Sequence, residues 1–100
     1  MGLDTAEALS LTEDTMKLAT LAGIDYSTAT QEMTAAIRGF KMEMEEGSHV
    51  TDVYSTLAAS AAASVEDIAS AMSRTASIAS NAGMSFENTS AFLTKMVETT

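Results

Sequence analysis

Ala22-Gly23-Ile24-Asp25 and Ala82-Gly83-Met84-Ser85 stand sixty positions apart and follow one pattern. Each is a small residue, a glycine, a large apolar residue and a short polar one. Glycine suits the left-handed position just past a helix, where a residue without Cβ carries little penalty. The apolar residue that follows can fold back on the last turn of the helix it leaves. Asp25 and Ser85 can accept hydrogen bonds from the otherwise unpaired N–H groups that open the next helix. The chain therefore stops one helix, turns and starts another, and it does so twice.

The likeness extends outward from both joints. Thr15-Met16-Lys17-Leu18-Ala19 corresponds to Thr75-Ala76-Ser77-Ile78-Ala79, and Tyr26, Thr30, Met33, Thr34 and Ile37 to Phe86, Ser90, Leu93, Thr94 and Val97. A repeated helix–corner–helix unit accounts for both halves. One hundred residues hold one domain at most. The chain is 46% hydrophobic but only 5% aromatic, so its core is shallow and built by close helix approach. Proline is absent, and nothing forbids helix in any stretch. The fold class is all-α: about five amphipathic helices in antiparallel hairpins, forming a small bundle that one copy completes alone or by oligomerisation.

A first helix is predicted from Thr5 to Leu21 with Asp4 as its cap, although Thr12-Glu13-Asp14 is itself a start signal. The second runs from Tyr26 to about Phe40, with Tyr26, Ala29, Met33, Ala36, Ile37 and Phe40 on one face. Gly39 weakens its far end, and residues 41–46 read as a linker with Met42 or Met44 tucked inward. Glu46 or Ser48 can cap the third helix, whose stripe is Val50, Val53, Tyr54, Leu57, Ala58 and Ala61. Ser64-Val65-Glu66-Asp67 resembles a capping box with Asp in place of Glu. It starts a fourth helix with Val65, Ile68, Ala69, Met72, Ala76 and Ala79 inward. Ser70, Ala71, Ser73, Ser77 and Ser80 are small enough to admit a close neighbour. The fifth helix follows Ser85, with Phe86, Leu93, Met96 and Val97 inward. Its pattern still runs at Thr100, the expectation for a fragment of a much longer chain. Residues 1–100 thus read as a single helical module.

Five basic residues against fourteen acidic give a net charge of −9. That balance argues against binding a phosphate backbone or an anionic membrane surface. Without cysteine there is no disulfide or thiol chemistry. No apolar run approaches the ~20 residues that span a bilayer, and Met1 to Ser10 lacks the features of a signal peptide. His49 is the single histidine, with Glu43, Glu45, Glu46 and Asp52 around it. Glu45 and His49 share a helix face at a spacing a metal site can use, but Gly47 interrupts the turn and no second His or Cys completes a shell. The plainer reading is an acidic first turn that complements the helix dipole. Serine and threonine are abundant, yet one helix-borne histidine without an orienting third group is no hydrolase signature. Neither a catalytic group, a cofactor nor a metal is expected. The residues singled out are structural, as caps and corners: Gly23, Asp25, Ser64, Gly83 and Ser85. Most of the eight methionines fall on core stripes, with Met44 the expected exception at the surface.

Ala22-Gly23-Ile24-Asp25, Ala29-Thr30, the Ile37 and Phe40 pair, His49-Val50 with Asp52-Val53, Ser64 to Ala69, and Ala79 to Ser85 with Thr89 and Ala91 fall in the order of one known module. In that run the chain resembles the conserved helical core region of phage tail tape-measure proteins, over roughly Thr15 to Val97. It departs from that family at Lys41, where glycine is common, and at Ala76-Ser77, where many members have Gly-Pro and a kinked helix. The resemblance implies a non-catalytic structural segment of a phage or prophage tail, acting in tail assembly and tail-length determination. It implies a place inside the virion tail, after assembly in the bacterial cytoplasm. It also implies the tail tube, tail assembly chaperones and further copies of the same chain as partners. The alternative from the residues alone is a helical protein–protein interaction module of a bacterial adaptor or secreted protein.

Overall fold

Three helix ends of one kind shape this molecule, two made with glycine and one without. The computed structural model describes residues 5–99. Its elements are α1 (Thr5–Ala22), α2 (Tyr26–Gly39), a short 3-10 turn (Met44–Glu46), α3 (Gly47–Ala59), α4 (Val65–Asn81) and α5 (Phe86–Thr99), with no strand among the described residues. Helix α1 passes through Thr12-Glu13-Asp14 unbroken. The expectations for Asp4 and Thr100 fall outside the described residues.

At the first corner Gly23 has φ +70°, and the Ile24 N–H donates to the Ala19 carbonyl at 3.1 Å. Asp25 then accepts from the Thr28 N–H at 2.7 Å. The later corner repeats this: Gly83 has φ +89°, Met84 N–H donates to the Ala79 carbonyl at 3.0 Å, and Ser85 Oγ accepts from Asn88 N–H at 3.0 Å. The two differ in their apolar residue. Ile24 packs against the core, whereas Met84 stays exposed.

The end of α2 closes in the same way with lysine in the left-handed position. Lys41 has φ +56°, its N–H donates to the Arg38 carbonyl at 3.2 Å, and Met42 N–H donates to the Ile37 carbonyl at 2.8 Å. A Cβ in this conformation costs about 1–2 kcal/mol. Lys41→Gly should therefore raise stability by roughly 0.5–1 kcal/mol, the relieved strain less the freedom glycine adds to the unfolded chain. Urea unfolding reads this directly, and a loss of stability would show that the lysine side chain supplies more than its backbone strain removes.

Between α3 and α4, Ser64 Oγ accepts from Asp67 N–H at 3.0 Å while Asp67 Oδ2 accepts from Ser64 N–H at 3.3 Å. Helix α3 starts differently from expectation. Glu46 turns its carboxylate backward to accept from Glu43 N–H at 2.7 Å, closing the 3-10 turn. It makes no side-chain bond to α3, and Ser48 already lies inside the first turn.

The closest layer is α2 against α4. All six inward residues expected on α4 are buried, and all but Ala79 share one core cluster with Ala29, Met33, Ala36 and Ile37 of α2. Leu18 enters from α1, Val50 and Tyr54 from α3, and Phe86 and Leu93 from α5. Tyr26 and Met96, expected inward, are 48% and 49% exposed. Tyr26 opens α2 with its ring outside, while its counterpart Phe86 is buried, so the repeat is one of backbone more than of packing. Where Met96 was expected, α5 instead buries Thr89, Ser90 and Thr94. Two of those hydroxyls bond their own helix, Thr89 to the Ser85 carbonyl at 2.8 Å and Thr94 to the Ser90 carbonyl at 2.7 Å, which makes them acceptable inside. Met44 is half-buried against the core, and among the described residues the exposed methionines are Met16, Met84 and Met96.

Candidate functional site

Two places gather polar side chains. The first lies where the opening turns of α3 and α5 converge. His49 Nε2 and Glu87 Oε2 are 2.6 Å apart, and both side chains are about half exposed. The hydrogen bond from His49, and then one from Glu87's own backbone, holds the Glu87 carboxyl below its usual range. The His49 ring also lies 6.1 Å from the Phe86 ring. Asp52, one turn on, reaches Lys17 of α1 at 3.9 Å, a solvent-screened pair. His49 therefore pairs across the fold with Glu87. The helix face expected for Glu45 and His49 does not form, because Glu45 belongs to the 3-10 turn that precedes α3.

Below this pair an open groove of about 380 Å³ runs between α3 and α5, lined by His49, Asp52, Val53, Thr56, Leu57 and Glu87. Val53 and Leu57 are half-buried in it, so the middle of α3's apolar stripe is only partly covered. Among the described residues no Ser or Thr hydroxyl is bonded to His49. Many of these hydroxyls bond carbonyls one turn back instead, as Thr30 does to Tyr26 and Thr75 to Ala71, both at 2.8 Å. The arrangement offers an ion pair and a shallow apolar floor. It presents no activated nucleophile.

The second place is internal. Glu32 is 6% exposed, on the buried face of α2 among Ala29, Met33 and Ala36. Its carboxyl is within hydrogen-bonding reach of Glu66 in the first turn of α4. Burial foremost, then the hydrogen bond and charge of Glu66, push the Glu32 carboxyl up to about 7, against a smaller opposing pull from Arg74. Tyr54, fully buried, has its hydroxyl pushed up by burial and by Glu32. The Tyr54 hydroxyl, Glu32 Oε1 and Glu66 Oε1 are all buried without a hydrogen-bond partner. Asp14 is a milder case on α1: burial raises its carboxyl, Lys17 opposes this, and its Oδ2 lacks a partner beside Gly47.

Sequence reasoning passed over Glu32 and Asp14. Both were detectable, because each falls at the spacing of a buried stripe, Glu32 three after Ala29 and Asp14 four before Leu18. The five cap and corner residues do not converge on either place. Each serves its own helix end.

Among the described residues no helix is long and apolar enough to cross a membrane, and no group of three or more His, Cys, Asp or Glu is placed to hold a metal ion. In comparison with known proteins, the sequence profile for phage-related minor tail proteins matches residues 1–100. The chain is similar to part of the tape measure protein of Pneumococcus phage Dp-1, with 30% identity over 97 residues. That alignment takes in 97% of this chain and 8% of the relative, so the chain spans less than a tenth of that protein's length. No solved structure matches the chain.

Proposed function

The chain belongs to the phage-related minor tail protein family, and from that premise we propose that it is a structural, non-catalytic segment of a tail tape-measure protein. Its work is tail assembly and the setting of tail length, inside the virion tail after assembly in the bacterial cytoplasm. On this reading residues 1–100 are one helical module of a longer chain. Its partners are the tail tube, tail assembly chaperones and other copies of itself. The observation that carries the reading is the alignment along nearly the whole chain with a tape measure protein. Charge supports it too: a surface at −9 suits protein packing better than phosphate binding. Gly23, Asp25, Ser64, Gly83 and Ser85 then matter by fixing helix ends, which decides whether the segment is folded back or extended.

That distinction is measurable. One hundred residues of continuous helix span ~150 Å, whereas the folded module is 41 Å in its longest extent. Deleting these codons in frame from the parent gene should shorten tails, as seen by electron microscopy. A loss of about 150 Å means the segment is drawn out in the tail as continuous helix. A loss nearer the folded length means it keeps this packing. Tails of normal length that infect normally would remove the reading.

A further inference from the structure

We propose that buried Glu32 and half-buried Glu66 form an acid pair that holds a single proton between α2 and α4, latching that helix crossing and loosening it when the proton leaves. Burial and two unpartnered oxygens stand beside the titration. Glu32 projects from the apolar face of α2 and is 6% exposed. Glu66 reaches it from the first turn of α4. One oxygen of each carboxyl is buried with no N–H or O–H group to bond. Two ionised carboxylates would leave both oxygens orphaned and like charges face to face, which burial strongly disfavours. A single proton between them supplies a short, charge-assisted O–H···O bond and removes the repulsion.

The surroundings offer no other remedy. The groups that face Glu32 are Glu66 and Arg74 on α4 and Tyr54 on α3. Arg74 is exposed and donates to Ser70 Oγ at 2.9 Å. The Tyr54 hydroxyl is buried and makes no hydrogen bond to either carboxyl.

The direction of the pH response follows. Burial and Glu66 raise the folded Glu32 carboxyl from an ordinary 4.5 to about 7. The folded state then holds this proton more tightly than the unfolded chain does. The stabilisation is complete below the unfolded value and is lost as pH rises through the folded one. A carboxyl at its ordinary value is ionised above pH ~5.5 and gives little slope there.

The test is thermal unfolding of the 100-residue chain by circular dichroism from pH 5.5 to 8.5. The Tm should fall by roughly 5–10 °C across that range. Glu32→Gln, whose amide can donate to Glu66 without titrating, should flatten the fall and raise the Tm at pH 8.5. Asp14→Asn and His49→Gln should leave most of the fall in place. A fall that persists in Glu32→Gln, or that disappears in either of the other two variants, overturns the proposal. A second readout needs no variant. The Glu32 carboxyl carbon, followed by NMR in the unaltered chain, should titrate well above the ordinary range, and a midpoint near 4.5 overturns the latch equally.

Discussion

Phe86→Ala is expected to lower stability by about 3–5 kcal/mol, the range for removing a buried aromatic ring. Phe86 is 3% exposed at the first position of α5. Its ring meets Phe40 edge-on at 5.8 Å and 81°, and meets Tyr54 at 5.6 Å and 46°, both favourable aromatic geometries. Phe40 closes α2 and Tyr54 belongs to α3, so one side chain ties three helices together. The hole left by alanine has poor prospects of closing. The other residues α5 buries are Thr89, Ser90, Leu93 and Thr94, and a helix held largely by short hydroxyl side chains cannot shift inward to refill it. A domain of this size has roughly 5–15 kcal/mol in all, so about a fifth or more of its stability rests on this ring. Guanidinium unfolding gives the number. Phe92→Ala on the same helix is the control, because Phe92 is 57% exposed and should change little. A loss below about 1 kcal/mol for Phe86 would mean the site collapses around the gap, or that α5 is anchored elsewhere.

Phe86 also shows what the sequence made legible and what it did not. Helix starts were readable because a cap is local: Asp25, Ser64 and Ser85 each bond an N–H three residues on, and residues three apart can be read along the chain. Helix α4 was readable because its six inward residues repeat without interruption. Tertiary neighbours were not readable. Tyr26 and Phe86 hold equivalent places in the repeat, yet one ring is exposed and the other central, because only α5 has Phe40 and Tyr54 in front of it. The same limit hid the partner of His49. Glu87 is 38 positions away, and no local spacing joins them. Lys41 is a different failure. The left-handed turn there was real, but the sequence signal for it is glycine, and lysine adopts that conformation only because the hydrogen bonds on either side hold it there.

The acid pair was missed for a reason that bears on the whole family of such readings. Period 3.6 marks positions, and the residue at a marked position is assumed apolar. Glu32 occupies a core position and was left off the stripe of α2 because only apolar residues were counted there. A buried carboxyl that keeps a proton is as compatible with the stripe as a methionine is.

Gly39→Ala is expected to destabilise the chain by about 1–2 kcal/mol, although intrinsic helix propensity predicts a gain of roughly 0.5–1 kcal/mol. The sign turns on one contact. A Cβ built on Gly39 would lie 2.5 Å from Ala76 Cβ, 3.1 Å from the Ala76 carbonyl carbon and 3.1 Å from the Ser77 nitrogen. Two of those three atoms are backbone of α4, which cannot turn aside as a flexible side chain would. The helices must separate, and α2 against α4 is the layer where most of the core is buried. Overpacking of this kind costs about 1–3 kcal/mol, enough to reverse the propensity term. Glycine in the last turn of α2 is therefore there for the approach of α4, a role that its reading as a weak helix end did not anticipate. The double variant separates the two causes. Ala76→Gly removes the nearest atom, so combining it with Gly39→Ala should restore part of the loss, leaving the pair more stable than the two single effects added together. A Gly39→Ala chain that melts higher than the parent would show that α2 and α4 are less tightly engaged than 2.5 Å implies, and the crossing that the acid pair is proposed to latch would then lack its tight neighbour.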